Sequence, residues 1–189
     1  MSRAAIVIGG SAGALSVLET ILSALPTDFA PPILVVEHLH ASDDGAFARH
    51  LAHASALPVI EPCDKAPILG GRVYTAPANY HLLVEREGTI SLSVSEKVNW
   101  SRPSIDVLFE SAALVWRDAL VAVILSGASA DGAQGLNAVK AVGGRTIAQD
   151  PASAEIPLMP RAAIEAGAVD EVLQPAQIAR RLIELGKRT

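Results

Sequence analysis

Cysteine is almost absent from this 189-residue chain, which contains only Cys63. A single cysteine cannot form an internal disulfide, and no histidine or carboxylate accompanies it at a metal-ligand spacing. The N-terminus also lacks the charged segment and long apolar run of a secretion signal. These absences predict a cytoplasmic protein with no metal, no cofactor and no direct insertion into a membrane.

Aromatic residues and basic clusters are scarce as well. Aromatics make up 4% of the chain, and 15 Lys and Arg face 20 Asp and Glu, for a formal net charge of −5. This balance does not favour binding to nucleic acid or to an anionic membrane. Half of the residues are hydrophobic, and small branched side chains dominate among them, which suits a parallel sheet covered by alanine-rich helices.

Short apolar runs alternate with helical periodicity along the whole sequence. The pattern predicts strands over 4–8, 32–38, 59–60, 72–76, 81–85, 89–94, 119–126, 146–148 and 169–173, and helices over 15–25, 42–52, 104–116, 133–142, 161–166 and 175–185. The alternation predicts one α/β domain over residues 1–189, with a doubly wound, mostly parallel sheet and helices on both faces, Rossmann-like. The strands over 81–94 are expected to form an exposed antiparallel hairpin attached to this sheet.

A glycine-rich turn joins the first predicted strand to the first helix. Its sequence is GGSAGA at 9–14, which presents Ser11 at the carboxyl end of the strand and near the start of the helix. A catalytic nucleophile or a bound phosphate is expected at such a place. Ser11 could equally serve as a helix cap.

Two further polar residues follow other predicted strands. His38 and Asp131 each lie just past a strand end, and the carboxyl ends of parallel strands share one edge of a sheet. Serine becomes a strong nucleophile when an imidazole accepts its proton and a carboxylate orients that imidazole. Ser11, His38 and Asp131 therefore form a candidate triad, although singly His38 is more often structural and Asp131 is a common turn former.

With these residues in view, the sequence resembles the catalytic domain of the chemotaxis protein-glutamate methylesterases, the CheB family. The resemblance runs from residue 6 to about residue 185 and rests on separated motifs in the family's order: GGSAGA at 9–14, EHL at 37–39, RPSID at 102–106, GASADG at 127–132, IAQD at 147–150 and MPRAAI at 159–164. Departures from the family pattern at Ala12, Ala14, Ala128, Ser129 and Ala130 reshape the pocket and remove no triad member.

The resemblance implies a serine esterase that hydrolyses γ-glutamyl methyl esters on chemoreceptor helices, often with deamidation of glutamines there. Ser11 would be the nucleophile, His38 the general base and then acid, and Asp131 the orienting carboxylate. Backbone N–H groups near Ala12 and Ala128 would hold the oxyanion. Family members typically carry a receiver domain, which this sequence does not show, so a separate receiver or a chemosensory scaffold protein is a further candidate partner.

Recognition of an acidic receptor by an acidic enzyme must rely on local contacts rather than on net charge. Arg102, before the third helix, and Arg161, after a proline-broken loop, are the candidate substrate-binding residues. Either arginine could instead brace its own loop.

Two rival hypotheses remain at this stage. The turn at 9–14 could bind a dinucleotide with Glu37 as the ribose-binding acid, but Ser11 replaces the glycine that lets the backbone approach pyrophosphate. Alternatively, the chain could be a regulatory module that keeps the fold without turnover. Binding of a nicotinamide or flavin cofactor would favour the first, and a lack of labelling by an active-serine probe would favour the second.

Overall fold

The computed structural model describes residues 4–187, so the ends of the predicted 1–189 domain lie outside the described residues. Its nine strands are β1 Ala5–Gly10, β2 Ile33–Glu37, β3 Val59–Ile60, β4 Val73–Thr75, β5 His81–Val84, β6 Ile90–Ser93, β7 Leu120–Ile124, β8 Arg145–Gln149 and β9 Glu171–Leu173. Six α-helices connect them: α1 Leu15–Ala24, α2 Ala46–Ala54, α3 Ile105–Trp116, α4 Ala133–Ala141, α5 Leu158–Glu165 and α6 Pro175–Gly186. Among residues 4–187, no helix is both long and apolar enough to cross a membrane.

Seven strands form one parallel sheet in the order β3-β4-β2-β1-β7-β8-β9. The chain places β2, β3 and β4 on one side of β1 and, after α3, places β7, β8 and β9 on its other side. Such a change of direction opens a crevice at the carboxyl ends of the central strands. The predicted α/β fold is confirmed.

Hydrophobic cores cover both faces of the sheet, as the alternation of side chains along β1 illustrates. Val7 packs into the core beneath α3, α4 and α5, whereas Ile6 and Ile8 pack into the core beneath α1, α2 and α6. All three side chains are at most 1% exposed. The central strands are thus buried on both faces, which explains their continuous apolar sequences.

The predicted antiparallel hairpin is confirmed as β5-β6, but its expected exposure and attachment to the main sheet are wrong. It forms a separate two-stranded antiparallel sheet rather than an extension of the main sheet. Leu82 and Ile90 are fully buried in the core shared with α3, and the Val84 N–H donates to the Ser111 hydroxyl of α3 at 3.1 Å. Helix α3 therefore separates the hairpin from the main sheet and covers one of its faces.

Two helix starts also differ from the prediction. Helix α2 begins at Ala46 after Gly45, and the Asp43 carboxylate, not Ser42, accepts from the Gly45 and Phe47 N–H groups at 2.9 and 3.3 Å. Helix α5 begins at Leu158 and contains Pro160 in its first turn. Proline is tolerated there because N–H groups of the first turn have no partner within the helix.

Candidate active site

Ser11 and His38 follow adjacent strands at the carboxyl edge of the sheet. The parallel register pairs Gly10 with Glu37, and the His38 N–H donates to the Gly10 carbonyl at 3.3 Å. Neighbouring strands lie about 4.8 Å apart. The serine and the histidine are therefore side by side at the crevice beside β1.

The turn that carries Ser11 is fixed by the loop after β7. The Ser11 N–H donates to the Ser126 carbonyl at 2.9 Å, and Gly13, with φ of +82°, turns the chain towards α1. A Cβ placed on Gly127 would lie 3.0 Å from the Ser11 Cβ. The two loops thus pack directly against each other.

His38 is oriented by Asp131. Its Nε2 lies 2.8 Å from Asp131 Oδ2, with the histidine side chain 13% exposed and the aspartate side chain fully buried. Because an ionised carboxylate can only accept, Nε2 carries the proton and Nδ1 presents its lone pair. Within residues 4–187, neither Nδ1 nor Ser11 Oγ forms a hydrogen bond, so the serine-histidine contact is not made in this structure.

Asp131 sits against the amino terminus of α3. Its carboxylate accepts from the Ile105 N–H at 2.7 Å, the Asp106 N–H at 3.2 Å and the Ser104 hydroxyl at 2.9 Å. Burial would raise the pKa of Asp131, but the hydrogen bonds from His38, Asn99 and the helix N–H groups outweigh it and lower the pKa below its ordinary value. The positive end of the helix dipole favours the same ionised form.

Asn99 is a site residue that the sequence analysis missed. Its Nδ2 donates to Asp131 Oδ1 at 2.8 Å and to Asp106 Oδ2 at 2.7 Å, so a single amide bridges two carboxylates. Burial raises the pKa of Asp106, although its Oδ1 also accepts the Gly135 N–H at 2.6 Å. The available signal was an Asn in a short turn before α3, and nothing in its spacing pointed to Asp131.

Ser126 is a second residue that the sequence analysis missed. It connects the turn after β1 to the loop before α5. Its buried hydroxyl donates to the Ala12 carbonyl at 2.8 Å and accepts the Ile156 N–H at 2.9 Å. The predicted oxyanion residues Ala12 and Ala128 are both exposed. In the described part of the chain, their N–H groups form no hydrogen bond, which leaves them available to an oxygen of a substrate.

A cavity of about 220 Å³ opens beside His38. His40 and Arg102 line it together with His38. Arg102 also braces its own loop, because its Nη1 donates to the Val94 and Ser95 carbonyls at 2.7 and 2.8 Å. Arg161 is exposed on α5 and is not among the residues that line this cavity.

The Glu37 side chain is buried at the end of β2. It is 8% exposed, and its Oε2 has no hydrogen-bond partner and lies 2.9 Å from the place of a Cβ on Gly10. Burial raises the pKa of Glu37 well above its ordinary value. A carboxyl group so enclosed cannot reach a ribose, which counts against the dinucleotide hypothesis.

Comparisons with known proteins identify one family and several relatives. The family model described as CheB methylesterase matches residues 6–182. A Leptospira interrogans protein, provisionally named protein-glutamate methylesterase/protein-glutamine glutaminase, is 51% identical over 185 residues, covering 98% of this chain and 96% of that protein. A Symbiobacterium thermophilum protein with the same name, given without that reservation, is 39% identical over 179 residues, covering 95% of this chain and 49% of that protein.

A solved structure is similar throughout. The crystal structure of the Thermotoga maritima CheB methylesterase catalytic domain matches with a TM-score of 0.94 at 36% identity, covering 98% of this chain and 100% of that one. The chain thus spans nearly all of the Leptospira relative and of the Thermotoga domain, and about half of the Symbiobacterium relative.

Proposed function

Because the chain belongs to the CheB methylesterase family, we propose that it is a serine esterase that hydrolyses γ-glutamyl methyl esters on methyl-accepting chemoreceptors. The relatives' names support this reaction. The observation that carries it for this chain is the His38–Asp131 hydrogen bond of 2.8 Å beside Ser11. A substrate on the cytoplasmic rods of receptors would place the enzyme in the cytoplasm.

The proposed mechanism passes through an acyl-enzyme. Ser11 Oγ attacks the ester carbonyl while His38 Nδ1 takes the hydroxyl proton, and the N–H groups of Ala12 and Ala128 hold the oxyanion. His38 then returns the proton to the departing methoxide, which leaves as methanol. A water molecule, deprotonated by His38, hydrolyses the acyl-enzyme and restores Ser11 with a free glutamate.

Deamidation of glutamine uses the same steps with ammonia as the leaving group. The name protein-glutamine glutaminase, given to the relatives, supports this second reaction. Ser11→Ala should abolish both reactions. An assay of ammonia release from a receptor fragment, run beside the assay of methanol release, tests the deamidation.

An active-serine probe tests the nucleophile. A fluorophosphonate should label the wild-type protein and should fail to label Ser11→Ala at equal folded concentration. The variants His38→Ala and Asp131→Asn should each lower ester hydrolysis, and double variants should lose little more than the singles, because triad residues act as a unit. Additive losses, or labelling that persists without Ser11, would count against the triad, and an unlabelled folded wild type would favour the regulatory-module hypothesis.

We also propose Arg102 and Arg161 as substrate contacts. Arg102 lines the cavity beside His38, while for Arg161 the support is its exposed position on α5. Replacement of either by alanine should lower hydrolysis of a receptor fragment more than hydrolysis of a small ester. Since Arg102 also holds the Val94 and Ser95 carbonyls, equal losses on both substrates would assign that arginine to loop support.

A further inference from the structure

A two-residue turn overhangs the cavity beside His38. Val98 and Ser101 exchange both backbone hydrogen bonds, at 3.1 and 2.9 Å, and Asn99 and Trp100 between them have φ of +50° and +62°. Positive φ at both central positions is typical of a type I′ turn, which favours Asn followed by Gly. Trp100 therefore occupies the position where glycine would be the least strained residue.

The turn that carries the exposed indole is anchored through Asn99. Trp100 is 92% exposed, although a bulky side chain at positive φ is strained. Its neighbour Asn99 is anchored to the buried carboxylates of Asp131 and Asp106. Backbone strain of this kind concentrates at functional sites, and here it occurs in a turn that exposes a large apolar side chain beside the cavity lined by His38.

The charge of the cavity opposes that of the whole chain. Lys97 and Arg102 line it, and none of the described residues lining it is Asp or Glu. The chain as a whole carries a formal charge of −5. A locally positive, carboxylate-free rim complements a substrate that carries carboxylates next to the reacting ester.

We propose that the turn segment 97–100 is the docking element for the substrate helix. Trp100 packs on an apolar strip of a receptor helix, and Lys97 pairs with a carboxylate about one helical turn from the ester that reaches Ser11. This inference rests on the proposed function, since it takes the protein substrate from there. It assigns to two exposed side chains the recognition that a small ester would not need.

The first test replaces Trp100 by glycine, which removes the indole and suits the positive φ of the turn. We expect Trp100→Gly to unfold at a temperature no lower than the wild type. For a methylated cytoplasmic fragment of a receptor, the decrease in kcat/KM should be at least about ten times larger than the decrease for a small methyl ester. Removal of a tryptophan anchor from an interface typically weakens binding by this much or more. Trp100→Phe should recover part of the loss, and Leu114→Ala, which removes an exposed apolar side chain from α3, should not change the ratio of the two values.

The second test addresses charge. Lys97→Glu should lower hydrolysis of the receptor fragment and reduce the dependence of that hydrolysis on salt. The control Arg145→Glu makes the same change of charge at the amino end of β8 and should change neither. In the Ser11→Ala background, Lys97→Glu and Trp100→Gly should weaken binding of the methylated fragment.

The outcomes separate this inference from the proposed function. Equal losses on both substrates, or no loss, in Trp100→Gly and Lys97→Glu would overturn the docking role while leaving the esterase intact. A wild-type protein that cleaves the small ester but not the receptor fragment would instead overturn the receptor as substrate, and the docking role with it.

Discussion

Glu37 should make the stability of this protein depend on pH in a way that one substitution can isolate. The carboxyl group is buried next to Gly10, and burial is the cause of its raised pKa, with no contribution from a neighbouring charge. An uncharged form is favoured in such surroundings because ionisation would leave an unpaired charge out of water. Glu37→Gln keeps the shape of the side chain and removes the titration.

The size of the effect follows from proton linkage. Below the ordinary glutamate pKa of about 4.3, Glu37 is protonated in both the folded and the unfolded chain, so pH has no effect through this group. Between that value and the raised pKa of the fold, the unfolded state releases a proton that the folded state keeps. The free energy of unfolding therefore falls by up to about 1.4 kcal/mol per pH unit. Above the raised pKa the loss is complete.

Urea unfolding followed by circular dichroism measures this directly. Wild type, Glu37→Gln and the exposed control Glu165→Gln should be compared from about pH 4 to about pH 8. The advantage of Glu37→Gln over the wild type should grow with rising pH, whereas the control should stay parallel to the wild type. A difference between Glu37→Gln and wild type that is constant across this range would show that Glu37 ionises normally and would refute the reasoning.

Two further substitutions test the contacts around the candidate site. Asn99→Gly keeps the positive φ but removes the amide that donates to Asp131. Because a hydrogen bond to a charged group contributes about 1.5–3 kcal/mol, kcat/KM for a small ester should fall roughly ten- to hundredfold. An unchanged kcat/KM would contradict a role of Asn99 in positioning Asp131. Gly127→Ala adds a Cβ 2.5 Å from Met159 Cε and 3.0 Å from Ser11 Cβ. The rate of fluorophosphonate labelling should fall, whereas the free energy of unfolding should change little because the Met159 side chain can move. Labelling at the wild-type rate would show that the loop moves away from Ser11.

The residues at the carboxyl edge of the sheet could be predicted from the sequence, because local signals along the chain determine where each strand ends. Apolar runs ending in polar residues identified β1, β2 and the strand before Asp131, and the rule that parallel strands share their carboxyl edge brought Ser11, His38 and Asp131 together. The structure joins His38 to Asp131 by a hydrogen bond and pairs the ends of β1 and β2. Periodicity along the chain was sufficient because each residue's position depends mainly on its own strand.

The supporting contacts could not be predicted because they depend on tertiary packing. Asp131 meets Ile105, 26 positions earlier, only because α3 crosses the sheet with its amino terminus at the crevice. The placement of the hairpin could not be predicted for the same reason. The alternation over 89–94 showed one polar and one apolar face, but it did not show that α3 would cover the apolar face. The turn at Asn99 and Trp100 was missed because Trp replaces the glycine that signals such turns.

The surroundings of Asp131 bear on which group holds the proton during catalysis. In the proposed mechanism, His38 becomes an imidazolium when it accepts the serine proton, next to a carboxylate 2.8 Å away, and transfer of the proton onward to that carboxylate would remove the acid needed by the leaving group. The Asn99 amide and the N–H groups of α3 lower the pKa of Asp131 against the effect of its burial. We therefore expect the proton of the proposed mechanism to stay on His38, stabilised by an aspartate that remains ionised, until the methoxide takes it. A buried carboxylate without those donors would compete for the proton, which is the physical reason for its position at a helix amino terminus.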